Sequence, residues 1–327
     1  MTIITPDRHL TVLDAPSNLG LRPLAPDTIP GCYKAPWALR NTGLVQRLGA
    51  ADAGALVPPR YVATWEPGSG VRNGPAIAAY TRRLADRVTA IRAAGGFPVL
   101  LGGDCSILLG PALALRRSGR YGVAYLDAHA DFRHLGNSPH VGAAAGEDLA
   151  LITGRGDGYL TDIDGLRPYV RDEDVIVLGV RGEEDLRDIA DTGIAHLPGA
   201  SPSLDTGIAH LPGTSPSLDT GPDLSPGPGL SLDIGLALDA ASKVLVRDDL
   251  DGFWIHVDAD VLDPSVLSAV DSPTPGGLDA AQLTELIRGL AGLPGAAGLE
   301  VTILDPDLDE DGSQATLLAD ILVSALA

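Results

Sequence analysis

The chain has 327 residues, 45% of them hydrophobic, enough to bury a sizeable core in one large domain or two small ones. Its 43 acids against 23 bases give a net charge of -20, which excludes phosphate-rich nucleic acid and anionic membrane surfaces as electrostatic partners and favours a cationic small molecule. Two cysteines, Cys32 and Cys105, are too few for a disulfide scaffold. The start MTIITPDRHL lacks the apolar run of a signal peptide, and no stretch reaches the roughly 18 apolar residues of a membrane span, so a soluble cytoplasmic protein is expected.

In chain order, LTVLDA at 10–15 reads as a strand and 70–94 as a helix, from its mixed apolar and charged spacing. FPVLLGG at 97–103 is a strand ending in glycines, followed by a short helix over 106–117. Further strands are YGVAYLDA at 121–128, VIVLGV at 175–180, GFWIHVDAD at 252–260 and LEVTILDPD at 299–307. LTELIRGL at 283–290 and TLLADILVSAL at 316–326 supply helices. Strands this apolar, separated by helices, suit an α/β fold with a mostly parallel sheet covered on both faces. One segment breaks the pattern. DTGIAHLPGASPSL at 191–204 is repeated as DTGIAHLPGTSPSL and then degraded as DTGPDLSPGPGLSL, a 14-residue unit ending at 232. Its Pro, Gly and Ser content predicts a surface loop inserted at about 191–232 into a single domain spanning 1–327. His196 and His210 recur only because the unit recurs.

Three acidic clusters fall at the C-terminal ends of predicted strands, the edge where open α/β sheets collect ligands. YLDAHAD brings Asp127, His129 and Asp131; HVDADVLDP brings Asp258 and Asp260, with Asp263 beyond; LGGDCS brings Asp104 and Cys105 after a glycine pair that permits close backbone approach. An acidic strand end is ordinarily a solvated turn. Two of them, each with alternate-residue carboxylates after an apolar strand, point instead to cations. Packed carboxylates repel one another and bind protons too tightly unless divalent ions sit between them. Oxygen-rich ligation with one imidazole suits Mn²⁺ or a similar ion, while Cys105 ligates as thiolate or packs as a small apolar residue.

These motifs resemble the arginase–agmatinase family of ureohydrolases: GGDCS at 102–106, DAHAD at 127–131, NSPHVG at 137–142, DADVLDPS at 258–265, SPTPGGL at 272–278 and LEVTILDPDLD at 299–309, with GCYKAPWALR at 31–40 resembling the family's N-terminal segment. The resemblance implies a three-layer α-β-α sandwich with an eight-stranded, mostly parallel sheet and a two-manganese site. One ion would take Cys105, Asp127, Asp131 and Asp258; the other Asp127, His129, Asp258 and Asp260, with a hydroxide between them. It further implies that Asp131 handles the nucleophile's proton, that Glu300 binds the guanidinium group, that His140 shuttles protons or binds substrate, and that the protein forms trimers or hexamers. A strand-end partner role is the alternative for Glu300, and His134 and His256 are read as packing or loop residues.

The chain departs from the family pattern at Cys105, where a histidine is expected, at Arg133, where arginases carry asparagine, and at Gly182, where an aspartate is expected. Glu183 and Glu184 then become candidates for a substrate ammonium group, and Arg133 for a carboxylate. The leading expectation is hydrolysis of a guanidino C–N bond in an arginine- or agmatine-like substrate, releasing urea or a substituted urea. Three alternatives stand beside it. The cysteine resembles a branch that hydrolyses N-hydroxy-arginine to ornithine and hydroxyurea; the same chemistry serves formimino or other amide and amidine groups; and the fold also suits a non-catalytic, metal-bound regulatory or assembly subunit.

Overall fold

A computed structural model describes residues 8–25, 28–139, 141–199 and 232–327. Eight strands form one sheet: β1 (Leu10–Ala15), β2 (Ala51–Ala55), β3 (Phe97–Gly102), β4 (Tyr121–Leu126), β5 (Val175–Leu178), β6 (Ala195–Leu197), β7 (Gly252–Asp258) and β8 (Ala296–Thr302). Their order is β2-β1-β3-β8-β7-β4-β5-β6, and every pairing is parallel. The helices are α1 (Ala35–Asn41), α2 (Leu44–Arg47), α3 (Gly74–Ala93), α4 (Leu109–Arg116), α5 (Asp148–Ile152), α6 (Gly158–Thr161), α7 (Glu183–Ala190), α8 (Ile234–Leu245), α9 (Ala280–Gly292) and α10 (Ser313–Leu326).

Side-chain alternation along the strands divides the core into two layers. On β4, Val123 and Tyr125 join Leu84 and Val88 of α3 and Leu109 and Leu113 of α4. Ala124 and Leu126 point the other way, toward Leu245 of α8, Leu283 and Ile287 of α9, and Leu318 and Leu322 of α10. The architecture is therefore the expected three-layer sandwich around a parallel eight-stranded sheet. Both cysteines are buried and free. Among the described residues no helix is long and apolar enough to cross a membrane.

Among the elements that the sequence reading lacked, three bear on the sheet edges and the repeats. The strand β2, ADAGA, is a small-residue edge strand, mostly exposed, with no apolar alternation to announce it. Helix α8 follows directly on the repeats and escaped notice. The segment read as loop from 191 onward contributes β6, whose three residues are all buried and pair with β5. A proline- and glycine-rich unit tolerates a strand at the sheet edge, and that is where this one lies. The other repeats fall on 200–231, outside the described residues.

Strands β3, β8, β7 and β4 are the four central strands, and their C-terminal ends open on one side of the sheet. The glycine pair after β3 has the predicted use. A Cβ on Gly103 would lie 2.0 Å from the Ser17 carbonyl oxygen, so only glycine lets the β1 and β3 exits touch. Asp104 N–H donates to that same carbonyl at 3.1 Å. The Asp104 carboxylate accepts from Ser17 Oγ at 2.6 Å and Ser106 N at 3.0 Å, which makes it a cap for the turn carrying Cys105.

Candidate metal centre

Four strand ends deliver the site. Beyond β4, Asp127 is fully buried, and its Oδ1 accepts from His129 N at 2.6 Å. Beyond β7, Asp260 N donates to Asp258 Oδ1 at 2.8 Å, forming a tight turn that points both carboxylates at the β4 end. The two segments are joined directly: Ala128 N donates to Asp260 Oδ1 at 3.2 Å, and His129 Nδ1 lies 3.0 Å from Asp260 Oδ2 and 3.5 Å from Asp127 Oδ1. Buried Arg181, after β5, clamps the β7 exit by donating to the carbonyls of Asp260 at 2.7 Å, Val261 at 3.0 Å and Thr274 at 2.8 Å.

Two groups of side chains converge closely enough to hold cations. Ligand atoms of Asp127, His129 and Asp260 all lie within 4.8 Å of one another, as do those of Cys105, Asp127, His256 and Asp258. Asp127 belongs to both. Its Oδ2 is buried with no hydrogen-bond partner, as is His256 Nε2, so the residues present fit two positive ions that would satisfy these atoms. On the far side of each imidazole sits an orienting group: Thr274 Oγ1 lies 3.2 Å from His129 Nε2, and Glu300 Oε1 lies 2.9 Å from His256 Nδ1.

The electrostatics carry the strain expected of unneutralised carboxylates. Burial, then the charges of neighbouring aspartates, pushes Asp127 and Asp258 well above the ordinary carboxylate range. Burial likewise pushes Asp131 up to about 7, even with His129 and Tyr125 pulling the other way. Burial works against a charged His129, yet Asp127 and Asp260 drive it up to about 12. Burial also opposes ionisation of Asp260, but His129, Ala128 N–H and Arg181 hold its carboxylate below the usual value. The Cys105 thiol is raised by burial and by Asp258, whose Oδ2 lies 2.7 Å from Sγ.

These groups border a cavity of about 310 Å³ whose wall includes Cys105, His129, Asp131, Asp258, Asp260 and Asp271. Asp131 adopts φ 43°, and Tyr125 Oη, with one proton to donate, lies 2.8 Å from the buried Asp148 carboxylate and 3.2 Å from that of Asp131. Asp131 borders the cavity but lies in neither ligand group, where the sequence reading had it bind the first ion; His256 stands in that group instead.

Glu300 does not face the cavity. It is 0% exposed in the middle of β8, opposite His256 on β7, and the wall at the β8 exit is Ile303, held at φ 70°. In this structure Glu300 Oε1 lies 2.9 Å from His256 Nδ1, the strand-partner role that stood as the alternative to guanidinium binding. His256, read from the sequence as a packing or loop residue, shares the β7 face of Asp258, an alternation visible in HVDAD, and belongs to one of the two ligand groups. Glu183 and Glu184 are exposed, and the acid of that segment that reaches the cavity is Asp185. Arg133 is among the residues lining the cavity. Asp271, missed in the sequence, is pushed up to about 6 by burial and by Asp260. His140 lies outside the described residues.

The model of the arginase family matches residues 24–198 and 232–327, leaving out most of the repeated segment. The chain belongs to the arginase family. It is 27% identical to the arginase of Bacillus caldovelox over 326 residues, covering 97% of each chain, and 27% identical to the arginase of Agrobacterium fabrum over 310 residues, covering 90% of this chain and 85% of that one. The solved native structure of the Bacillus caldovelox arginase superposes with a TM-score of 0.79 at 26% identity, covering 98% of both chains. Against this arginase-family background, the two ligand groups at the sheet's C-terminal edge form a candidate binuclear centre.

Proposed function

We propose that the chain hydrolyses a guanidino C–N bond of a small cationic substrate, releasing urea or a substituted urea, with two divalent cations, manganese by preference, as cofactors. The observation that carries this reading is the pair of ligand sets sharing Asp127 at the wall of an acidic cavity. When bound, divalent ions supply Lewis acidity and make water a nucleophile near neutral pH.

The chain's own residues supply the rest. A guanidinium carbon is a poor electrophile because resonance spreads its charge, so the nucleophile and the leaving nitrogen must be held in line. Asp131, held near the Tyr125 hydroxyl, borders the cavity beside the ligand groups. It accepts one proton of the attacking water and passes it to the departing nitrogen; as the C–N bond breaks, the hydroxyl left on carbon gives up the second proton to the released amine, so the products are neutral urea and a protonated amine. Asp185 and Asp271 give the cavity negative charge beyond the metal ligands, which favours a cationic substrate over a neutral amide. Arg133 on the rim suits a substrate carboxylate. His140 is assigned the loop-histidine role that the family resemblance implies, and a trimer or hexamer is the assembly expected in light scattering.

The test is a panel of arginine, agmatine, guanidinobutyrate and N-hydroxy-arginine, offered to the Mn²⁺-loaded protein with urea, hydroxyurea and amine products quantified. N-hydroxy-arginine belongs in it because Cys105 replaces the expected imidazole at one ion. Release of ammonia or acetate from formimino or acetylated amines, with no urea from any guanidine, would overturn the reading. Two bound ions with no turnover of any substrate would favour the non-catalytic subunit.

A further inference from the structure

The two ligand groups differ in chemistry. One is carboxylate and imidazole alone; the other adds a thiol and its own imidazole. We propose that His256 is a metal ligand, and that Cys105, His256, Asp127 and Asp258 form a soft site for a zinc-class ion beside a harder site made by His129, Asp127 and Asp260. This rests on the two-cation reading above and departs from its manganese preference at one of the two positions.

Four observations place the imidazole. His256 and Asp258 are alternate residues of β7, so both project from one face of the sheet. The His256 ring is 0% exposed, Nε2 has no hydrogen-bond partner, and a ring nitrogen lies within 4.8 Å of ligand atoms of Cys105, Asp127 and Asp258. The opposite nitrogen, Nδ1, is 2.9 Å from Glu300 Oε1, which fixes the tautomer leaving Nε2 with a free lone pair. The ring is stacked on Tyr125 with centroids 4.5 Å apart, so it cannot swing away. A buried carboxylate–imidazole pair aimed at a thiol and two carboxylates is the second-sphere arrangement that orients a ligating histidine and raises its basicity.

The donor set decides the ion class. Thiolate and imidazole favour zinc and its neighbours, whereas carboxylate-rich sites suit manganese. One sulfur, one nitrogen and two carboxylate oxygens also match the fourfold coordination that zinc prefers. Glu300 then acts as a positioning residue, touching His256 and never the ion.

Cobalt(II) serves as the optical probe. Apo-protein titrated with one equivalent of Co²⁺ is expected to show a thiolate-to-cobalt charge-transfer band and intense tetrahedral visible bands. Cys105→Ser removes the first. His256→Asn weakens Co²⁺ at this site by about 100-fold or more, and Glu300→Gln by roughly 10- to 100-fold, as outer-sphere changes do. Binding of Mn²⁺ at the other site, read by electron paramagnetic resonance, stays within a few fold in His256→Asn. X-ray absorption of the wild-type protein carrying one equivalent of Zn²⁺ needs no variant to fold: it should show one sulfur near about 2.3 Å and an imidazole near about 2.0 Å. A sulfur-free shell, or Co²⁺ bands and affinity unchanged in a folded His256→Asn protein, would overturn the proposal while leaving the two-cation reading standing. A wild-type protein that binds neither Co²⁺ nor Mn²⁺ would overturn both.

Discussion

Tyr125 illustrates how single side chains are made to serve the centre. Its hydroxyl lies within hydrogen-bond distance of the Asp131 carboxylate at 3.2 Å and of Asp148 at 2.8 Å, whose other carboxylate oxygen is buried without a partner. Its ring supports the His256 imidazole from behind. Tyr125→Phe keeps the stacking surface and removes only the hydroxyl, leaving Asp148 more poorly satisfied in the core. Bonds to groups of this kind contribute roughly 1.5–3 kcal/mol each when one is charged, and part of that is recovered by protonating the carboxyl. Urea unfolding of the metal-free variant is expected to show a loss of about 2 kcal/mol with an unchanged slope. A loss below a few tenths would mean that water replaces the hydroxyl. Asp127 makes a different prediction, because it alone belongs to both ligand groups. Asp127→Ala is expected to reduce bound metal from two ions toward none, whereas His129→Ala removes one, as counted by elemental analysis after dialysis.

At the scale of strands and turns, the close contact between the β1 and β3 exits places Cys105. With a side chain on Gly103, the Ser17 backbone must move, since the added Cβ would overlap its carbonyl oxygen and amide nitrogen at 2.0 and 2.3 Å. Gly103→Ala is therefore expected to cost about 1–3 kcal/mol, as overpacking does, and to weaken the ion held by Cys105 more than the ion held by His129. Thermal unfolding and separate Co²⁺ and Mn²⁺ titrations measure the two effects; equal weakening of both would argue for a general loss of order. The glycine pair was legible because a paired glycine after an apolar strand has few other uses. The central strands were legible for a related reason: each is a short apolar run, and the two ligand motifs keep the strand's period of two beyond its end. What escaped notice depends on neighbours in space. The ADAGA edge strand has no apolar face, and β6 lies inside a repeat whose composition argues for a loop. The role of Glu300 follows from its register opposite His256 across β7 and β8, which no single stretch of sequence records. A carboxylate near a strand end looks the same whether it faces the cavity or the adjacent strand.

The whole molecule couples charge, folding and metal through protons. In the metal-free protein Asp131 is pushed up to about 7 and Asp271 to about 6, from an ordinary 3.8, with Asp127 and Asp258 raised as well. Between the unfolded and folded values, the native state holds protons that the unfolded chain has released. Stability must then fall as pH rises through that window. His129, raised from 6.5 to about 12, acts in the same direction, because its favourable charge is complete below the unfolded value and is lost toward the folded one. Asp260, lowered in the fold, acts oppositely but stands against several groups. The metal-free protein is thus expected to melt at a lower temperature at about pH 8 than at about pH 5, contrary to the usual behaviour of carboxylates held by cationic partners. Cations reverse the relation. Each must displace the protons it competes with, so affinity grows as pH rises and binding releases protons into the medium. Melting curves with a chelator and with saturating Mn²⁺ should diverge steadily from about pH 5 to about pH 8, the loaded protein gaining what the free protein loses. A chelated protein whose melting temperature climbs throughout that range would show that its aspartates are not crowded as the fold places them, and the case for a pair of ions neutralising them would go with it.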